Sequence, residues 1–194
     1  GAWNDIIEAA VRIQQAFEEF TCGTLHISAG VGIFNSHFPI RSAALQTAEL
    51  EEVAKEHRGK NAIALFDSYE KQHVYSWSDF TDGVLGEKET VLKEFFDNND
   101  DRGNSVLYRI NELLKGVKEK GRINLARYAY LLARLEPSQK DARHRLYKNF
   151  CDKMYQWALD ETSRGQLITA ILLYVYQTRK ESEKDGTKPE QKQQ

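Results

Sequence analysis

Apolar residues recur every three or four positions at Ile6, Ala10, Ile13, Phe17 and Phe20, a period that predicts an amphipathic helix with one apolar face. Asp5 with Glu8 three residues on is an aspartate form of the capping box at its start. Thr21-Cys22-Gly23 interrupts the period, and the run Leu25–Phe34 (LHISAGVGIF) changes to a strand pattern, alternating or apolar throughout and carrying β-branched residues. Pro39 suits the first turn of a second helix reaching about His57, with Ala43, Thr47, Leu50 and Ala54 on its inner stripe and Gly59 after its end. Asn61–Phe66 (NAIALF) is short and apolar between polar neighbours, which predicts a second buried strand. An α-β-α-β order with a helical crossover between the strands argues for helices on one face of a sheet.

Val74–Trp77 suggests an edge strand, and Ser78-Asp79 the cap of the helix that opens a second region. Beyond Thr81 the period of two disappears. Helices are predicted near 86–98, 104–117, 122–135, 138–160 and 162–179, with breaks at Asp97–Asp101, Lys120-Gly121, Pro137 and Ser163-Arg164-Gly165. Broad stripes such as Leu125, Tyr128, Ala129, Leu131, Leu132 and Leu135 fit a bundle core better than a two-stranded coiled coil. The expected organisation is therefore an α+β region over 1–78, an all-α helical bundle over 79–180 and a disordered tail over 181–194, which is polar and holds Gly186 and Pro189.

Charge sharpens this division. The formal net charge is only −2, yet residues 1–102 hold 9 Lys/Arg against 18 Asp/Glu, whereas residues 103–180 hold 15 against 7. The basic half is suited to phosphate, although the same charges also serve to solvate helix faces. No run approaches the roughly 20 apolar residues of a membrane span, and the start has no basic-then-apolar signal, so a cytoplasmic protein without membrane attachment is expected. Cys22 and Cys151 have no CxxC partner and no metal spacing with the five histidines, and read as reduced thiols.

Candidate chemistry gathers around the strand–helix–strand segment. Ser28, Ala29 and Gly30 make a strand whose backbone can be approached closely, which suits a ligand lying across the sheet. Lys55 and Lys60 stand at the end of the second helix and in the following turn, where two ammonium groups converge on a polyphosphate or merely offset the negative end of the helix dipole; spacing allows both. Lys115, Lys118, Lys120 and Arg122 form a second basic set between two helices, and Arg127 and Arg134 lie a heptad apart on one. These six contact a phosphate, an RNA backbone or a neighbouring subunit, or are ordinary surface charges. Glu49, Glu51 and Glu52 spread around their helix, which favours solvation over metal binding; His26, His37, His57, His73 and His144 have no catalytic partner at recognisable spacing. The three tryptophans read as core residues.

LHISAGVGIF followed by AKEHRGKNAIALF resembles the later half of a GGDEF-type palm, a ferredoxin-like fold, although one extra residue separates Lys55 from Gly59 and the helix lacks the aspartate-and-tyrosine pattern of diguanylate cyclases. The fuller order SAGVGIF, a proline-started helix, ELEEVAK, GKNAIALF, Tyr75-Ser76-Trp77 and GRINLARYAYLLARLEP is similar to the large subunit of type III CRISPR effector complexes. The resemblance implies a partial palm followed by a helical bundle, from a protein that in full length binds ATP with Mg or Mn and joins it into cyclic oligoadenylates when target RNA pairs with guide RNA. It implies nucleotide contacts at Ser28, Gly30, Lys55 and Lys60, and partners among the other subunits, the guide RNA and the target RNA. In that family the metal is held by a Gly-Gly-Asp-Asp hairpin just before text like Gly1-Ala2-Trp3; the motif does not occur in this sequence, so this stretch is expected to hold no tight cofactor and to be inactive alone. An interrupted palm sheet is also expected to expose a strand edge through which the chain self-associates. Two alternatives stay open: a helical scaffold that docks small subunits and the guide–target duplex, and an unrelated α+β nucleotide-binding module.

Overall fold

The computed structural model describes residues 3–35, 37–66, 71–97, 105–137 and 142–185; of Trp3, Asn4, Lys71, 118–120, Ala142 and 179–185 it describes the backbone alone. The chain divides into two compact units after Gly86, within a π-helical segment, Asp79–Glu89, and past the boundary expected at 78/79. Among the described residues no helix is long and apolar enough to cross a membrane.

In the first unit, α1 spans Trp3–Phe20 and stops where the breaker was expected. Gly23 N–H donates to Glu18 C=O at 2.9 Å and Cys22 N–H to Glu19 C=O at 3.2 Å, with Cys22 at φ 50°. This crossed pair satisfies carbonyls that the helix end leaves orphaned. The apolar stripe is only partly covered: Ala10 and Phe17 are half-buried and Ile6, Ile13 and Phe20 are 45, 59 and 88% exposed, while Ile7 and Gln14 are buried. Periodicity identifies a stripe, but which face is covered depends on neighbours that periodicity does not name.

Strand β1 is Ala29–Gly32, shorter than the expected Leu25–Phe34; α2 is Ile40–Glu56, β2 Ala62–Phe66 and β3 Val74–Ser76, preceded by a 3₁₀ turn at Lys71–His73. Sheet order is β1-β2-β3, with β1 parallel to β2 and β3 antiparallel to it. The parallel pair follows from the helical crossover, since only a long connection returns the chain to the same end. Among the described residues β1 has no ladder on its outer edge.

Small residues bring α2 close to this sheet. Gly30 pairs with Ala64, and Ala62, Ala64, Leu50 and Ala54 form one cluster with none more than 1% exposed. A Cβ on Gly30 would stand 2.6 Å from Glu51 N and from Thr47 O, so the glycine is required by the approach of the helix backbone. On the opposite face Val31, Ile63, Leu65 and Tyr75 are buried. Trp77 is 3% exposed, and its Nε1–H donates to Ile27 C=O at 2.8 Å. The segment after β3 starts on Ser76 instead of Ser78: the Ser76 hydroxyl donates to Asp79 Oδ2 at 2.6 Å and accepts from Asp79 N–H at 3.1 Å.

The second unit is helical: α3 Thr90–Phe96, α4 Ser105–Lys115, α5 Val117–Ala133, α6 Ala142–Leu159 and α7 Glu161–Asp185. α5 begins earlier than expected and carries the foreseen break as a kink at Gly121, φ 42° and ψ −119°, a conformation suited to glycine. The break expected at Ser163–Gly165 falls instead at Asp160, whose Oδ2 accepts the Ser163 N–H at 2.7 Å in the manner of an N-cap. α7 packs on α3, α4 and α6. From Leu167 to Val175 it is buried at every position except Leu172, the pattern of a helix surrounded by others. Phe95 stacks on Phe150 with ring centres 4.0 Å apart, and Phe96 meets Phe150 edge to face at 5.7 Å. Tyr128 and Trp157 are buried as expected, and Tyr174 OH donates to Asp97 Oδ1 at 2.9 Å. Residues 181–185, expected to be disordered, continue α7: Glu and Lys are good helix formers and extend a helix already nucleated. Residues 186–194 lie outside the described residues.

Candidate functional site

The parallel pairing of β1 and β2 places the residues before each strand at the same end of the sheet. There Ser28 Oγ donates to the Lys60 C=O at 2.8 Å, so this candidate pair is brought together. Lys60 follows Gly59 in the turn from α2 into β2, with φ 51° at Lys60 and 90° at Gly59. A non-glycine residue in the left-handed region needs support from its surroundings, and the Ser28 bond to its carbonyl, with Lys60 N–H donating to His57 C=O at 3.0 Å, supplies it. The exposed Lys60 side chain has no ion pair among the described residues.

Lys55 is arranged differently. Its Nζ lies 2.8 Å from Glu51 Oε1 and 3.0 Å from Glu52 Oε1, on the surface of α2. Hydrogen bonds to these two carboxylates hold the ammonium above its ordinary range. An incoming phosphate must therefore compete with two glutamates at Lys55 and, among the described residues, with none at Lys60. Gly30 meets α2 on the side its missing Cβ would occupy, so what approaches the backbone there is the helix. Among the described residues no three His, Cys, Asp or Glu side chains gather as a metal site. His73 is 3% exposed and packs edge-on against Phe66 with ring centres 5.0 Å apart.

A second arrangement lies in the helical unit. Lys115 and Arg122 are exposed, and the side chains of Lys118 and Lys120 lie outside the described residues. Arg127 on α5 and Arg134 at its C-cap, both exposed, border a cleft of about 360 Å³ between α4 and α5. Across it stand Arg109, Glu112 and Leu113 of α4; Tyr130 and Leu131 complete the α5 wall. Tyr130 is 67% exposed. Arg109 and Tyr130 were not among the site residues legible in the sequence. Arg127, Tyr130, Leu131 and Arg134 do follow the i, i+3, i+4, i+7 pattern of one helix face, but Arg109 joins them only because α4 and α5 pack side by side.

Comparison with known proteins divides the chain in nearly the same place. Residues 1–64 match the family model of the Cas10/Cmr2 second palm domain, and residues 93–180 that of the second helical domain of the CRISPR RNA silencing complex Cmr2 subunit. Similar proteins include the CRISPR system single-strand-specific deoxyribonucleases Cas10/Csm1 (subtype III-A) of Mycobacterium tuberculosis, 37% identical over 93% of this chain and 22% of the relative, and of Streptococcus thermophilus, 38% identical over 93% of this chain and 24% of the relative. The protein of the same description from Enterococcus italicus is 37% identical over 92% of this chain and 22% of its own length. The chain thus spans about a quarter or less of the curated relatives it matches. Successive matches to a palm and a helical domain of one family, on an α+β unit and an all-α unit in that order, establish that the chain belongs to the Cas10 (Csm1/Cmr2) family of type III CRISPR large subunits.

Proposed function

We propose that this chain is the nucleotide-supporting and assembly portion of a cytoplasmic type III CRISPR large subunit that, in full length, converts ATP into cyclic oligoadenylates when target RNA pairs with guide RNA. The observation that carries the reading is the Ser28–Lys60 pairing at one end of the β1/β2 sheet inside a palm-domain match. When bound, a divalent metal such as Mg or Mn supplies charge neutralisation to phosphoryl transfer. The described side chains offer no cluster of three His, Cys, Asp or Glu that fits such an ion; in this reading the metal is held by residues elsewhere in the full-length protein, and this stretch alone is expected to turn over no ATP.

What these residues do is bind and orient. Lys60 presents an ammonium on a turn that Ser28 holds in place, and Lys55 adds a second cation weakened by Glu51 and Glu52. In the full-length protein, Lys60→Ala is expected to weaken ATP binding by about 10- to 150-fold, the scale of a hydrogen bond to a charged group. Lys55→Ala should cost less. Calorimetric titration with ATP measures both, and unchanged affinity in Lys60→Ala removes Lys60 from the site. Activity is read as cyclic oligoadenylate produced with and without target RNA.

The excess of 15 Lys/Arg over 7 Asp/Glu in residues 103–180 favours a second role, in which the helical unit docks neighbouring subunits and RNA. Deleting it should abolish complex assembly in size-exclusion chromatography and leave ATP binding largely intact. Loss of ATP binding with assembly preserved would reverse the assignment.

A further inference from the structure

We infer that the cleft between α4 and α5 is a subsite for single-stranded polynucleotide, in which one unstacked base lies on Tyr130 and its flanking phosphates are held by Arg127 and Arg134 with Arg109 opposite. The inference rests on the reading of the helical unit as an RNA-contacting surface, and deepens it by naming where and how the strand is held.

Three observations carry it. Arg109, Arg127 and Arg134 surround the cleft, and none makes an ion pair with a described residue. With Glu112 as the one carboxylate in the lining, a local positive charge is left for an anion to neutralise. Second, Tyr130 is 67% exposed and lines the cleft together with Leu113 and Leu131, so an accessible aromatic ring and apolar side chains share one site, the combination on which nucleic-acid bases stack irrespective of sequence. Third, the order along α5 and its C-cap is Arg127, Tyr130, Arg134. At about 1.5 Å rise per residue, the two arginines stand about 10.5 Å apart along the axis with the ring between them. A polynucleotide places phosphates on both sides of a base; a mononucleotide places them on one. A duplex keeps its bases stacked away from such a ring.

Glu112 adds a preference. It accepts hydrogen bonds and donates none, so it suits the exocyclic amino group of adenine, cytosine or guanine and repels an acidic peptide. The cleft's volume of about 360 Å³, near the small end of ligand pockets, suits one base.

The test uses the full-length protein and fluorescent oligomers of about 12 nucleotides, oligo(A) and oligo(U) RNA and oligo(dA), followed by anisotropy across a salt series. Tyr130→Ala should weaken binding by about 5- to 150-fold while Tyr130→Phe keeps it. Arg127→Gln and Arg134→Gln should each lower the salt slope by about 0.7. Glu112→Gln should narrow the preference for oligo(A) over oligo(U). Because other parts of the protein also meet nucleic acid, an oligomer with a central 4-thiouridine is photocrosslinked to the wild type and mapped by mass spectrometry. A crosslink on the Tyr130 peptide supports the inference, and tighter binding of the RNA or the DNA oligomer identifies the natural strand. Crosslinks confined elsewhere, with all variants binding as wild type, overturn it, as does protection of the cleft by polyglutamate but not by oligonucleotide. Complex assembly is scored on the same variants: normal assembly with normal RNA binding defeats the subsite alone, whereas a helical unit dispensable for assembly defeats the broader reading.

Discussion

Replacing Gly30 by alanine tests whether this glycine exists for the helix that covers it. The new Cβ would sit 2.6 Å from Glu51 N and Thr47 O and 2.8 Å from Leu50 Cβ, where ordinary contact begins near 3.4 Å. Two of the three obstacles are backbone, so no side-chain rotation relieves them, and α2 must retreat by about 0.8 Å. A gap of that size forfeits a quarter to a half of the dispersion energy of each facing atom pair. The pairs concerned are Leu50 and Ala54 against Ala62 and Ala64, none more than 1% exposed. Overpacking of this kind costs about 1–3 kcal/mol, and a backbone clash belongs at the upper end. Hydrogen exchange of the β2 peptide, read by mass spectrometry, reports the local opening free energy directly. A loss of about 3 kcal/mol appears as roughly 150-fold faster exchange at Ala64 and Leu65. Exchange unchanged within about threefold, together with weakened ATP binding, would refute the packing argument and return Gly30 to a ligand-facing role.

Tyr128 is fully buried and its OH donates to Met154 C=O at 2.9 Å; Tyr128→Phe should cost about 1 kcal/mol in urea unfolding, and an unchanged midpoint would show that the bond contributes nothing net. Burial first, and the nearby Cys151 second, push the Tyr128 phenol up from 10.0. A raised folded value means that its contribution to stability is full below pH 10.0 and declines as the pH rises above it, so Tyr128→Phe should flatten that alkaline loss in thermal melts. Asp160 is held below its ordinary 3.8, chiefly by the Ser163 backbone N–H. Its contribution is therefore full above that value and fades as the pH falls through the lowered one. Asp160→Asn keeps a capping oxygen but removes the titration, so the variant should lose its melting temperature less steeply as the pH falls below 3.8; parallel curves would exclude the cap as their cause.

The local order of elements was legible in the sequence because it depends on interactions between near neighbours. The change of period at Thr21–Gly23, the proline before α2 and the apolar NAIALF run locate α1, α2 and β2 to within a few residues. The helical crossover implied a helix covering one face of the sheet; the parallel β1/β2 pairing is seen only in the structure. Lys60 and Ser28 could be singled out by their places beside strands, but not the bond between the Ser28 hydroxyl and the Lys60 carbonyl, which needs the two strand starts side by side. Nor could sequence show that Lys55 spends its charge on Glu51 and Glu52, since a lysine at a helix end suits an ion pair and a phosphate equally well.

By itself, then, the chain's sequence determined an α+β region followed by a helical one, its charge asymmetry and, through ordered motifs, its family. Tertiary structure decided which surfaces those elements use. Ile6, Ile13 and Phe20 became exposed while Ile7 and Gln14 were covered, Gly30 became a seat for α2, and Arg109 came to share a cleft with Tyr130 on another helix. The physical reason is range. Turns, caps and periodicity act over a few residues and are written in sequence order, whereas burial and clefts arise from long-range packing between elements, whose partners no local pattern names.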